Sequence, residues 1–210
     1  MRVDNVRIHE TKTISRHWVL FREYAFDYRR HDGTWQRLRR QACDRGDSVA
    51  VLPYCAHRGT VLLIWQFRLP ILIGGKGTGI TIEVPGGLIH EDSPFDAAKR
   101  ELEEETGIRT GKLEQVMLAD MLPALLTERV HLFTAQYGSD VVVPASAGVH
   151  REGEDIQVRE LPFTRACQMI ADGQITDART ILLLQHARMN GLVSPGPALH
   201  GNRPSPEDIR

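Results

Sequence analysis

Cysteine is scarce in this chain. Its 210 residues hold three, Cys43, Cys55 and Cys167, far apart and without a CxxC pair. That spacing argues against a zinc ribbon or a disulfide framework and fits a reducing, cytoplasmic compartment. Long apolar runs are missing too. None approaches the ~20 residues of a membrane-spanning helix. Residues 1–10 alternate charged and apolar side chains, with no apolar core of a secretory leader. Net charge is nearly absent, at −1 from 26 Lys/Arg and 27 Asp/Glu. So neutral a chain has no overall pull toward nucleic acid or an anionic membrane. No stretch interleaves aromatic and basic residues as nucleic-acid readers do. What is left is 41% hydrophobic and 25% charged, the balance of a soluble globular protein. The chain is long enough to bury a core without a covalent staple.

The small net charge hides an uneven distribution. Residues 1–45 carry eleven Lys/Arg against six Asp/Glu, and residues 91–105 carry seven Asp/Glu against two Lys/Arg. A basic N-terminal part and an acidic centre fit a site that takes an anion and a cation together. The basic part reads as β. Val6 and Ile8, Trp18 and Leu20, and Tyr24, Phe26 and Tyr28 each alternate with polar residues. His31-Asp32-Gly33 marks a hairpin turn. The polar break Asp44-Arg45-Gly46-Asp47 bounds a β-rich subdomain over residues 1–47. Residues 48–192 then form the main domain. Residues 193–210, with four Pro and two Gly, read as a disordered tail.

In the main domain, strands are expected over 48–53, 60–67, 80–84, 112–119, 130–137 and 156–161. Helices are expected over 93–106, 164–171 and 177–189, the last capped by Thr176. Residues 71–79 hold four glycines but no GK[ST] ending of a phosphate loop, and read as a mobile surface loop. The helix over 93–106 is the most legible element. Ser93 stands at its N-cap, Pro94 at its first position, Asp96 three residues after the cap, and Gly107 at its stop. One helical turn gathers Glu101, Glu104 and Glu105 on one side. Like charges so spaced repel by roughly a few tenths of a kcal/mol per pair. A hard divalent cation, Mg²⁺ or Mn²⁺, offsets that repulsion and suits carboxylates plus a substrate phosphate. A Glu-rich face turned to water is the plain alternative.

The ordered set Gly86-Gly87, Asp92, then Arg100-Glu101-Leu102-x-Glu104-Glu105-x-Gly107-Ile108 resembles the box of the Nudix hydrolase family. Asp92 is the one departure, since the family has Glu there. The flanks resemble the GDP-mannose-cleaving branch of its nucleoside-diphosphate-sugar hydrolases. They are Asp44-Arg45-Gly46, Gln66-Phe67-Arg68, Ile82-Glu83, Thr127-Glu128, His131-Leu132-Phe133, Gly153-Glu154-Asp155-Ile156 and the run from Gly173 to Thr180. The resemblance implies an α/β fold, the Nudix α/β/α sandwich with a mixed sheet. Its β-rich N-terminal subdomain would join two copies into a homodimer with a site spanning both. The implied activity is divalent-metal-dependent hydrolysis of a nucleoside diphosphate sugar, GDP-mannose-like, to a nucleoside monophosphate and a sugar 1-phosphate. ADP-ribose is the alternative substrate. A catalytically inactive nucleotide-binding module of the same fold is the alternative of another class, and the complete glutamate set argues against it.

The resemblance also assigns roles. Glu101 and Glu105, with Glu104 alongside and the Gly86 carbonyl, are the expected metal ligands, and Glu83 is a further acidic contributor. Arg100 orients the carboxylates, or serves only as a helix ion pair. Glu152 and Glu154 are the candidates for the base that takes a proton from water, and the choice between them stays open. Arg39, Arg40 and Arg68 are candidate anion clamps, because a guanidinium forks onto phosphate. Trp18 is a candidate nucleobase platform, or a core or interface residue. Before Thr127 the branch has Ser-Pro-Gly-Gly, where this chain has Leu122-Pro123-Ala124-Leu125. Two glycines that would permit close approach to a ligand are replaced there, which leaves the sugar open.

Overall fold

The computed structural model of the chain describes residues 4–75, 77–148 and 155–193. Strands β1 (Val6–Arg16), β2 (Leu20–Arg29) and β3 (Trp35–Asp44) form an antiparallel three-stranded sheet in chain order. The β2–β3 turn closes where the Asp32 carboxylate accepts hydrogen bonds from the Thr34 N–H and hydroxyl, and Gly33 takes φ +85°. Ala25 is the one buried apolar residue among the described residues of this sheet. The sheet joins the rest of the molecule along a short main-chain seam. The Cys43 N–H donates to the Leu125 carbonyl at 2.8 Å, and the Thr127 N–H donates to the Cys43 carbonyl at 3.1 Å.

The second sheet contains β4 (Ser48–Cys55), β5 (Thr60–Phe67), β6 (Ile80–Glu83), β7 (Lys112–Asp120), β8 (Arg129–Gln136), β9 (Ser146–Ala147) and β10 (Ile156–Pro162). Its order is β7-β8-β4-β5-β10-β9, with β6 beside β5. The β4–β8 pair is parallel and the other pairs are antiparallel. The unbroken apolar runs of β4 and β5 suit strands covered on both faces. Val49, Val51 and Leu62 pack with Ala97, Ala98 and Leu102 of helix α2 (Pro94–Thr106). Ala50, Leu52, Val61 and Leu63 pack on the opposite face with helices α3 (Phe163–Ala171) and α4 (Ala178–Met189). The result is the expected α/β/α sandwich. Val193 is buried in the α4-side core, and 194–210, most of the expected tail, lies outside the described residues.

Strands β4 and β5 pair only at Tyr54–Val61 and Cys55–Thr60, after which β6 takes over that edge of β5 from Ile64 to Phe67. The segment after β6 turns onto β4 instead. The Val51 N–H donates to the Pro85 carbonyl and the Val49 N–H to the Gly87 carbonyl, both at 2.9 Å. This parting of β4 from β6 places the two glycines beside α2.

Some elements differ from expectation. A short helix, α1 (Leu69–Ile73), opens the segment expected to be a loop, started by a proline in its first turn. Helix α4 is capped by Asp177 rather than Thr176. The Asp177 carboxylate accepts the Thr180 N–H at 2.9 Å, and its negative charge suits a helix N-terminus. Strand β9 was not anticipated. Among the described residues no helix is long and apolar enough to cross a membrane.

Candidate active site

Helix α2 starts and stops as its sequence dictates. The Ser93 hydroxyl accepts the Asp96 N–H, and Gly107 ends the helix at φ +70°. The helix then turns Glu101 and Glu105 inward, 8% and 2% exposed, while Glu103 and Glu104 stay exposed. The Gly86 N–H donates to Glu105 Oε2 at 2.7 Å. A Cβ on Gly86 would overlap the Val49 carbonyl oxygen and lie 2.8 Å from the Ala50 Cα, and a Cβ on Gly87 would overlap the Glu101 carboxylate. Both positions need the bare backbone of glycine because other atoms already fill the space.

Arg100 ties the acidic set together. Its Nη1 donates to Glu101 Oε1 at 2.7 Å and to Glu104 Oε2 at 3.1 Å, its Nε to Asp92 Oδ2 at 3.3 Å, and its Nη2 to the Leu88 carbonyl at 3.2 Å. Burial works to lower the Arg100 pKa, but Glu101 first, then Glu104 and Asp92, raise it overall. Asp92, the departure from the family pattern, thus reaches the arginine with its shorter side chain.

Among the described residues no three His, Cys, Asp or Glu side chains close into a metal cage. The donor chemistry nonetheless fits a hard divalent cation. Two buried carboxylates lie against bare glycine backbone: the Glu101 carboxylate occupies the place of a Gly87 Cβ, and Glu105 accepts the Gly86 N–H.

Glu83, at the end of β6, is the centre of a hub whose Arg68 also feels the charge of Glu105. It accepts Arg68 Nε at 3.0 Å and Nη2 at 2.7 Å, Arg179 Nη2 at 2.6 Å, Thr81 Oγ1 at 2.6 Å and Gln66 Nε2 at 3.3 Å. Burial alone would raise its pKa. The hydrogen bonds from Arg68 and the charges of Arg179 and Arg68 overcome that and hold it at about 2. Arg68 is held by two parallel hydrogen bonds with 39% of its side chain exposed. Asp177 grips Arg179 from the other side, through Nε at 3.1 Å. Sequence reasoning gave Asp177, Arg179 and Thr180 no individual role. The signal was there: Asp177-x-Arg179 stands at the head of a helix that continues as Ile181-Leu182-Leu183-Leu184.

The remaining predicted site residues lie elsewhere. Trp18 is 92% exposed in the turn between β1 and β2, so it is no core residue of this chain. Arg39 donates to Glu23 at 2.9 Å and to Glu10 at 3.5 Å, and Arg40 donates to the Arg39 carbonyl. Those bonds stay within the three-stranded sheet and do not reach the acidic helix. Glu152 and Glu154 lie outside the described residues. The chain on either side of them is anchored near α2: the Gly148 N–H donates to the Glu104 carbonyl at 3.1 Å, and Ile156 pairs with Ala147.

Residues 44–184 match the family model of the NUDIX domain. The chain belongs to the Nudix family of hydrolases, enzymes that generally work with a divalent metal ion. Residues 5–42 match the model described as the GDP-mannose pyrophosphatase NudK N-terminal domain. A GDP-mannose pyrophosphatase from Pectobacterium atrosepticum is 40% identical over 191 residues, covering 91% of this chain and 98% of the relative. One from Yersinia enterocolitica is 40% identical over 193 residues, covering 92% and 98%. A crystal structure of an ADP compounds hydrolase superposes with a TM-score of 0.64 at 19% identity, over 92% of this chain and all of that one. That likeness supports the fold alone.

Proposed function

We propose that this protein hydrolyses the diphosphate of a nucleoside diphosphate sugar, GDP-mannose foremost, to a nucleoside monophosphate and a sugar 1-phosphate. The observation that carries the reading is the pair of buried carboxylates, Glu101 and Glu105, set against Gly86 and Gly87, with Arg100 bonded to Glu101 and to its neighbour Glu104. Glu101 and Glu105 would hold a divalent ion, Mg²⁺ or Mn²⁺, with Glu104 and the Gly86 carbonyl alongside. When bound, the ion neutralises the diphosphate oxygens and acidifies a water.

The chain's own residues do the rest. Arg100 keeps Glu101 and Glu104 in place by charge-assisted hydrogen bonds. Arg68, fixed by Glu83, offers a rigid guanidinium to a phosphate oxygen. A carboxylate from the 149–154 segment, Glu152 or Glu154, takes the proton of the attacking water. Support for that assignment is the anchoring of Gly148 on Glu104. Attack at one phosphorus breaks its bond to the bridging oxygen, which leaves with the other phosphate.

Trp18, Arg39 and Arg40 would serve a site completed by a second copy. The N-terminal sheet leaves Ile8, Ile14, Trp18, Tyr28 and Trp35 exposed, and a shallow apolar depression lies between Val6, Ile8, Tyr24 and Phe26. Apolar surface so concentrated favours a partner, and a homodimer is the assembly proposed.

The test is a panel of GDP-mannose, ADP-ribose and UDP-glucose with Mg²⁺, read as phosphate released by a coupled phosphatase, which attacks the monoester products but not the intact diphosphates. GDP-mannose is expected to be cleaved fastest. Faster cleavage of ADP-ribose would move the substrate reading there, and no release from any of the three would overturn it.

A further inference from the structure

Thr180 lies on α4, 96 residues from Val84, and is wholly buried. Its hydroxyl donates to Asp177 Oδ2 at 2.7 Å and accepts the Val84 N–H at 2.8 Å. A threonine hydroxyl carries a single hydrogen. The carboxylate takes it, so the oxygen's lone pairs are left for Val84. Asp177 is itself fixed by the Thr180 N–H and by Arg179 Nε. Val84 opens a run of four residues bonded on every side. The Pro85 and Gly87 carbonyls accept N–H groups of β4, and the Gly86 N–H donates to Glu105 on α2. Helices α4 and α2 lie on opposite faces of the sheet. The run from Val84 to Gly87 passes through the gap between β4 and β6 and is held from both faces.

We infer that Thr180 is a positioning residue for the metal site: its hydroxyl, aimed by Asp177, sets where the Val84–Gly87 run lies and so how Gly86 and Glu105 meet. The inference rests on the metal reading proposed above, and the experiment separates the two. Mn²⁺ is titrated into substrate-free protein and free Mn²⁺ is read by electron paramagnetic resonance, for the wild type, Thr180→Val and Thr180→Ser. Thr180→Val keeps the shape and removes the hydroxyl. It should stay folded by circular dichroism, bind Mn²⁺ about tenfold more weakly, at the lower end of what loss of an outer-shell partner costs, and exchange its Gly86 amide hydrogen faster. Thr180→Ser, which restores the hydroxyl, should bind as the wild type does. A merely structural threonine would lower the melting temperature of Thr180→Val and leave Mn²⁺ affinity unchanged, and that result overturns the inference. If Thr180→Val does not fold, Asp177→Asn, which loosens the aim of the hydroxyl, must weaken Mn²⁺ binding, and unchanged binding there overturns it equally. A wild type that binds no Mn²⁺ overturns the metal reading itself, and this inference with it.

Discussion

In the N-terminal sheet the charged pairs lie near the surface. Asp27 accepts from Arg37 and His9, and Arg39 donates to Glu23 on a side chain 61% exposed. In the sandwich, Glu83 keeps 4% of its side chain exposed and is met by two arginines, a glutamine and a threonine. Water can replace a partner lost from the first kind of pair, so such a pair adds little. Nothing replaces a partner lost from the second, so every lone pair has to be met by the fold. The sandwich can therefore hold carboxylates at fixed positions for chemistry, whereas the three-stranded sheet holds its charges where a ligand or another chain can reach them.

Removing the buried carboxylates should break this contrast most visibly. Glu101→Gln and Glu105→Gln are each expected to cut turnover at saturating Mg²⁺ by more than about a hundredfold, beyond what outer-shell changes cost. Glu23→Gln, in the N-terminal sheet, should leave turnover unchanged. Steady-state kinetics decides, and a fully active Glu105→Gln would end the metal assignment.

The two glycines sharpen the comparison within the sandwich itself. Gly86→Ala presses on the β4 backbone and should destabilise by about 1–3 kcal/mol, the usual range for overpacking, read as a lower melting temperature. Gly87→Ala presses on the Glu101 side chain, which can swing aside. It should keep most of the stability and lose most of the activity.

The buried hub predicts a larger pH effect than the surface pair at Asp27, whose carboxyl Arg37 and His9 also hold below its ordinary value. The Glu83 carboxyl is held at about 2 against an ordinary value of 4.5. Its ionised form therefore stabilises the fold above 4.5, and that contribution is lost as pH falls toward 2. Urea unfolding followed across this window should show a falling midpoint in the wild type. A Glu83→Gln variant should begin less stable and fall less steeply.

The smallest effect is expected from the N-terminal sheet. Trp18→Ala and Arg39→Ala should change stability by less than about 0.5 kcal/mol, as exposed substitutions do. With a site shared between two copies they should raise KM for the sugar nucleotide and leave kcat alone. An unchanged KM for both would confine the site to the sandwich.

The elements that could be read from sequence are those whose cause is local. Helix α2 carries its own start at Ser93-Pro94 and its own stop at Gly107, and the apolar runs of β4 and β5 announce strands covered on both sides. The glutamate spacing follows from the helical repeat alone. What stayed hidden depends on partners distant in sequence. Beyond their local bonds to Asp177, the hydroxyl of Thr180 meets Val84 and the guanidinium of Arg179 meets Glu83, each 96 residues away. Helix α1 is five residues long and begins beside a proline, too short for periodicity to register. Trp18 sits next to an alternating strand pattern, which says which residues share a face but not whether anything covers it.

The seam at Cys43 is made mainly of peptide groups: Leu125 and Thr127 meet it through their main-chain atoms, and the Thr127 hydroxyl adds a longer bond at 3.5 Å. The two positions where the related branch carries glycine, Ala124 and Leu125, fall at this same joint. Because alignment there is written in the peptide skeleton, evolution is free to rewrite those side chains without re-aiming one half of the molecule against the other.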